Sequence, residues 1–347
     1  MSNYYEELTL GRRFRHATAR TITDGEVALN IALTGARQPI GSSAVVAKEL
    51  GYAGRPVDDF LLFNIAFGKT VADISFNARG NLGYAGLRFL RPVYVGDTIR
   101  AESEVIGRRE ASNGLSGVVY VRSAAFNQDN ECVLEFVRWV LVRKRIPEER
   151  SQEVAIPQLP EQVRPESILA PPVKDVRSVM ANATGVEKFY NDYRAGDRII
   201  HEGGITIDES DHTLATRLFQ NNAMGHFDTL VAKEEGREQR IVYGGYVIAL
   251  CRALSYDGFE NVVSIAAINA GSHVGPTFAG DTIYSVSDVI EMCPLSGRSD
   301  LGAMRLRLWG VKNRRVRHEE LSSSKGERRS YDPAVVLELD YTVLVPI

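Results

Sequence analysis

The chain is written twice, and a repeat this long constrains the fold more than any other feature, because both copies must fold to the same plan. Gly11, His16, Thr21 and Ile22 recur 185 positions later as Gly196, His201, Thr206 and Ile207, and Tyr5 recurs as Tyr190. Further on, the run from Pro92 to Ile99 (PVYVGDTI) is echoed 184 positions later from Pro276 to Ile283 (PTFAGDTI). Near the two ends, Val133-Leu134-Glu135-Phe136 and Val140-Leu141-Val142 match Val336-Leu337-Glu338-Leu339 and Val343-Leu344-Val345, now 203 apart. The second copy therefore holds about nineteen extra residues, and the charged, Ser-rich stretch from Lys312 to Ser330 is their place, expected to be a solvated loop. Between the copies, Arg145 to Pro172 holds six of the 13 prolines and reads as an extended linker, since proline removes a helical donor and fixes φ. The expected organisation is a first domain over 1–145, a linker over 146–172 and a second domain over 173–347.

Each copy runs through a short opening segment, helical stretches and then several strands. Gly245 to Leu254 is apolar on nearly every side, which suits a helix buried against a sheet. Val118-Val119-Tyr120-Val121 and Met304 to Trp309 are β-rich runs. Strands outnumber helices, so the expected class is α+β. At 347 residues and 44% hydrophobic content the chain has material for two cores. A formal net charge of -3 gives no reason to expect nucleic acid or an anionic membrane as partner. No apolar run approaches the roughly 20 residues that cross a bilayer, and Met1 to Glu7 is polar and acidic, unlike a signal peptide, so a cytoplasmic protein is expected. Cys132, Cys251 and Cys293 are dispersed and odd in number, which argues against disulfides or structural zinc. No cluster has metal-ligand spacing, so no metal is expected.

A Pro-x-x-x-Gly-Asp-Thr-Ile strand start in each of two copies, with a buried helix before it, resembles the MaoC-like (R)-specific enoyl-CoA hydratases. The resemblance covers nearly the whole chain. It implies a double hot-dog fold, in which two tandem hot-dog domains each wrap a curved antiparallel sheet around a central helix. More narrowly, Ala215 to Asn221 with His226-Phe227, Arg240 to Gly245, Phe67 to Ser75 and Tyr331 to Leu337 look like the mesaconyl-CoA hydratases, also called β-methylmalyl-CoA dehydratases. That likeness implies reversible addition of water to the enoyl thioester of mesaconyl-CoA, with no cofactor beyond the CoA of the substrate. Hot-dog domains pair in the family; one chain here supplies the pair, and a homodimer of double domains is expected.

The family's hydratase motif reads Thr-Gly-Asp-x-Asn-Pro-x-His, with the Asp and His holding the attacking water. The first copy has Thr34-Gly35-Ala36-Arg37-Gln38-Pro39-Ile40-Gly41, so neither Ala36 nor Gly41 can move a proton through its side chain. The second copy has Phe219-Gln220-Asn221-Asn222-Ala223-Met224-Gly225-His226, keeping the histidine as His226 and replacing the carboxylate by Asn221. A family His-Gly pair opens the central helix, its glycine N–H turned to the thioester oxygen. Tyr243-Gly244-Gly245 stands there in the second copy and Asp58-Asp59 in the first.

The resemblance thus places the catalytic residues His226 and Asn221, and the oxyanion or substrate-binding residues Gly244, Gly245 and Tyr243, in the second domain, leaving the first silent. Imidazole, with a reference pKa of about 6.5, can take a proton from water near neutrality, while an asparagine amide can only orient that water. A substrate carboxylate would need a buried cation, for which Arg217 and Arg252 are candidates. His16 and His201, matched between the copies, read as structural, and Asp97 and Asp281 as turn residues. A hydratase for other acyl-CoAs, a thioesterase on the same fold and a non-catalytic acyl-CoA-binding module are the competing readings.

Overall fold

The computed structural model describes residues 3–148, 153–325 and 328–347. In the first copy two short strands, β1 (Arg13–Arg15) and β2 (Arg20–Thr21), precede helices α1 (Asp24–Thr34), α2 (Pro39–Ser42), α3 (Ala44–Glu49) and α4 (Asp59–Thr70). Strands β3 (Ala78–Phe89), β4 (Thr98–Glu110), β5 (Ser116–Phe126) and β6 (Cys132–Arg143) follow. The second copy opens with α5 (Val176–Thr184), β7 (Arg198–Thr206), α6 (Glu209–Leu218), α7 (Thr229–Glu234) and α8 (Gly244–Leu254). It continues through β8 (Ser264–His273), β9 (Thr282–Pro294), β10 (Leu301–Lys312), β11 (Ser322–Lys325), β12 (Arg328–Tyr331) and β13 (Val335–Pro346).

The repeat appears in space as one antiparallel sheet with a mirrored order, β1-β4-β5-β6-β3-β8-β13-β10-β9-β7, with β2 also on β4. The copies meet at β3 and β8, where Tyr84 faces Gly271 and Arg88 faces Ala267. Pairing the two copies through equivalent strands removes a free edge from each, the exposed feature that invites aggregation. Helices α4 and α8 pack against the strands of their own copies and against each other. Both are buried along almost their whole length, as the uniformly apolar run in α8 required. One apolar core therefore spans the seam, joining Phe60, Phe63 and Phe67 of α4 to Tyr246, Val247 and Leu250 of α8.

Strand β6 shows how sequence period becomes orientation. Phe136, Arg138, Val140 and Val142 are buried while the alternate Val137, Trp139 and Leu141 are half-covered, as a period of two requires. In β13 both faces are closed. On one side Asp340 is held by Arg305 and Asn269, and Asn269 also accepts the Val163 N–H of the segment between the copies. That segment, where described, holds no α-helix; Ala155 exchanges backbone bonds with Arg108 of β4 at 2.8 and 2.9 Å. The expectation of a plain solvated loop over Lys312–Ser330 is corrected. Strands β11 and β12 form a two-stranded ribbon there, and Val316 and Leu321 bury their side chains against Val286 and Trp309. These apolar anchors lie inside a charged stretch, so mean composition concealed them.

Candidate active site

Helices α4 and α8 occupy equivalent positions but begin differently. Helix α4 starts by capping itself, with the Asp58 carboxylate accepting the N–H groups of Phe60 and Leu61, both at 3.0 Å. The Asp59 carboxylate accepts the Ile265 N–H at 2.8 Å. Burial pushes the Asp59 pKa up to about 7, with Asp58 adding to the effect. Helix α8 starts at Tyr243 with no side-chain cap. The N–H groups of a first helical turn have no acceptor inside the helix, so those of Gly244 and Gly245 remain available to an external oxygen, with the positive end of the helix dipole behind them.

The uncapped end opens on a cavity of about 380 Å³ whose walls come from both copies. Asn221, His226, Tyr243 and Gly244 line it together. Gly245 does not; its α-carbon turns toward α4, where a β-carbon would lie 2.0 Å from Asn64 Oδ1, so that glycine serves the crossing of the two helices. Its backbone N–H, in the uncapped first turn, has no acceptor inside the helix. At Gly244 a β-carbon would lie 2.5 Å from the His273 ring, which sits across the helix start.

The His226 Nδ1–H donates to the Ile241 carbonyl at 2.9 Å. That bond fixes the tautomer and leaves Nε2 as the acceptor available to the cavity. Burial is the main influence on its pKa, lowering it to about 4, so the imidazole is neutral at pH 7. Asn221 is buried, and its Oδ1 accepts the Ala223 N–H at 3.0 Å, an Asx turn that engages the oxygen of the amide and not its Nδ2. The loop carrying both residues rests on α4. A β-carbon on Gly68 would lie 1.8 Å from the Phe219 carbonyl oxygen, and the Lys69 ammonium donates to Gln220 Oε1 at 2.7 Å. Gln220 is held at φ 53, a left-handed conformation that this grip supports.

Three further residues of the cavity were not singled out in the sequence. His273 stands at the end of β8, its Nε2 3.2 Å from the Tyr84 hydroxyl, and burial lowers its pKa to about 4. Tyr84 and Arg138 enter from β3 and β6 of the first copy. The available signal for Arg138 was a charge on the buried side of an apolar strand, where the second copy has Tyr341. Arg217, by contrast, is exposed, and Arg252 lines a different cavity of about 710 Å³ with Gln38, Gly41, Asp58 and Asp59. The first copy thus retains a hollow where its motif lies, with carboxylates in place of free N–H donors.

One continuous antiparallel sheet wrapped around two buried helices, with a histidine in the same cavity as an uncapped helix start, defines a double hot-dog protein of the MaoC-like hydratase class. The chain has 46% identity and a TM-score of 0.95 to a MaoC domain dehydratase structure from Chloroflexus aurantiacus, covering 99% of this chain and 97% of that one. A Mycobacterium tuberculosis double hot-dog protein shares the fold at TM-score 0.76 and 22% identity, over 99% of this chain and 98% of that one. A family profile for mesaconyl-CoA hydratase matches residues 1–316, and the chain belongs to that family. It is 46% identical to the β-methylmalyl-CoA dehydratase of Chloroflexus aurantiacus, over 99% of this chain and 97% of the relative. It is 43% identical to the mesaconyl-CoA hydratase of Cereibacter sphaeroides, over 99% and 98%. It is a hydro-lyase acting on acyl-CoA.

Proposed function

We propose that the chain interconverts mesaconyl-CoA and β-methylmalyl-CoA, using the cavity between His226 and the start of α8. The observation that carries this reading is the pairing of a tautomer-fixed imidazole with an uncapped helix N-terminus in one cavity. His226 Nε2 takes a proton from water as the water oxygen bonds to the β-carbon, which also bears the substrate carboxylate. The electron pair of the double bond moves onto the thioester oxygen, where the Gly244 N–H and the α8 dipole receive the charge. The imidazolium then returns its proton to the methyl-bearing α-carbon, so one histidine balances the reaction. A developing enolate and a substrate carboxylate beside the ring favour its protonated form, offsetting the burial that lowers its pKa. Asn221 orients the water through Nδ2, and the equivalent positions of the first half, Ala36 and Gly41, leave that half without proton transfer of its own.

Purified full-length chain given mesaconyl-CoA should bleach the conjugated thioester absorbance and yield a product one water heavier. Release of free CoA thiol instead would replace this reading with a thioesterase, and binding without turnover would replace it with an acyl-CoA-binding module. For the assembly, we propose a homodimer of double domains, on the family's habit of pairing hot-dog units; a one-chain mass in light scattering would overturn it.

A further inference from the structure

Arg138 is fully buried, yet no carboxylate pairs with it among the described residues. The other arginines rooted in the sheet show what this chain ordinarily does with such a cation. Arg305 is paired with Asp340, Arg198 with Asp288 and Arg88 with Glu135. The partners of Arg138 are all neutral. Its guanidinium donates to Thr70 Oγ1 at 2.8 Å and to Ser75 Oγ at 3.3 Å and lies 4.2 Å from the centre of the Phe67 ring. Nε has no partner. Burial without an anion draws its pKa down to about 10, which leaves it charged at neutral pH.

The local backbone is arranged around this cation. Helix α4 passes into a π turn over Val71–Ser75. Residues five apart diverge on an α-helix but align on a π turn, whose bonds run from i to i+5, so Thr70 and Ser75 both reach the guanidinium. A second unpartnered donor stands nearby. The Tyr243 hydroxyl is buried without a hydrogen bond, and its ring lies in the same cavity one residue before Gly244. An isolated buried cation and a buried phenol are both costly, and both are satisfied by one anion.

We propose that Arg138, assisted by the Tyr243 hydroxyl, anchors the free carboxylate of a dicarboxylic acyl-CoA, so that the first copy selects the substrate for chemistry performed by the second. This rests on the cavity being the hydration site. The carboxylate of the substrate lies three bonds from the thioester carbonyl carbon, matching the adjacency of Tyr243 to the helix start. A fatty enoyl-CoA would leave the cation facing hydrocarbon.

The test uses the full chain and two saturated thioesters that cannot be hydrated: methylsuccinyl-CoA, which has the carboxylate, and 2-methylbutanoyl-CoA, which has a methyl in its place. Calorimetric titration of wild type should show methylsuccinyl-CoA bound at least about tenfold tighter, the scale of a charge-assisted bond. Arg138→Met should erase that preference while changing the affinity for 2-methylbutanoyl-CoA by less than about threefold, since only the charged contact is lost. Arg138→Lys should keep part of the preference and Tyr243→Phe should reduce it; these two carry the test if the Met variant does not fold. No preference in wild type, or equal weakening of both thioesters in the variants, would overturn the proposal. Because neither compound reacts, the outcome is separate from turnover. A chain that hydrates mesaconyl-CoA without an Arg138-dependent preference refutes the anchor alone, and a preference without turnover refutes the hydratase reading alone.

Discussion

Replacing Gly244 by Ala is a measurement of the proposed oxyanion site. The new β-carbon would lie 2.5 Å from Cε1 and Nε2 of His273 and 2.9 Å from Cδ2. Carbon contacts are comfortable at about 3.5–4.0 Å, so roughly 1 Å must be opened. Either the His273 ring swings out, giving up its 3.2 Å contact with Tyr84, or the start of α8 retreats. A retreat of that size stretches an N–H···O bond of about 2.9 Å beyond useful length. Loss of one oxyanion donor costs about 10²–10³ in kcat, and the substrate KM should change little because the charge exists mainly in the transition state. Helix propensity alone would favour Ala by about 1 kcal/mol, so an absence of thermal stabilisation would register the clash independently. Gly41→Ala is the control, because nothing lies within 4 Å of a β-carbon there. Initial rates with mesaconyl-CoA and melting curves on both variants decide the matter. A folded Gly244→Ala enzyme with kcat within about threefold of wild type would remove the helix start from catalysis.

His226→Ala should lower kcat by about 10²–10⁴ with an unchanged melting profile, and near-normal rates would end its role as proton carrier. In the kcat/KM profile the base must be neutral, so activity should fall only as pH drops from the usual 6.5 toward about 4; a limb at 6.5 would contradict the buried imidazole. Asn221→Asp should move that limb to higher pH, because a carboxylate beside the ring favours its protonated form; an unmoved limb would separate the two side chains. His201, 2% exposed, bonded to the Asp257 carbonyl and the Ser287 hydroxyl, has its pKa lowered by burial from 6.5 to about 4. The unfolded chain therefore binds a proton that the native fold refuses. The contribution of this histidine to stability is full above pH 6.5 and falls by about 3 kcal/mol as pH approaches 4. Urea midpoints across that range check it, and His201→Asn should flatten the slope by as much as one proton.

What could be read from the sequence was whatever repeats or alternates. The two matched runs showed that both halves follow one plan, though not that they join at β3 and β8, and the all-round apolar character of Gly245–Leu254 marked a buried helix, because burial on every side leaves no polar face to write. Position in a motif brought Asn221, His226, Tyr243 and Gly244 to one cavity. Contacts across the seam left no local trace. Gly68 beneath Phe219 is an ordinary glycine in a helix until the second copy is laid against it, and His273 is a lone histidine at a strand end. Arg217 and Arg252 stand on helices, yet the fully buried cation among the arginines of the cavity, Arg138, sits in β6. A strand displays its inward register by alternation of two, and Arg138 occupies that register between Phe136 and Val140. The charge was visible; the hydroxyls that hold it, Thr70 and Ser75, lie 68 and 63 positions away.

Under the proposed mechanism, the contrast between the helix starts confines chemistry to one of the sheet's two hollows. Helix N-termini are anion sites only while their N–H groups are free. Asp58 consumes two such donors, and Asp59 adds a second carboxyl group to the larger cavity, so that cavity opposes the enolate of the proposed mechanism. Gly244 removes the side chain instead, at a spot where His273 leaves no room for one. Once α4 is self-capped, the rest of its length can serve the other site: Gly68 and Lys69 seat the loop that carries Asn221 and His226, and Thr70 with Ser75 holds Arg138 at the cavity wall. Shortening the π turn by one residue would therefore disturb recognition of the carboxylate before it disturbed the imidazole, because the guanidinium depends on both hydroxyls whereas His226 is fixed by the Ile241 carbonyl from its own copy.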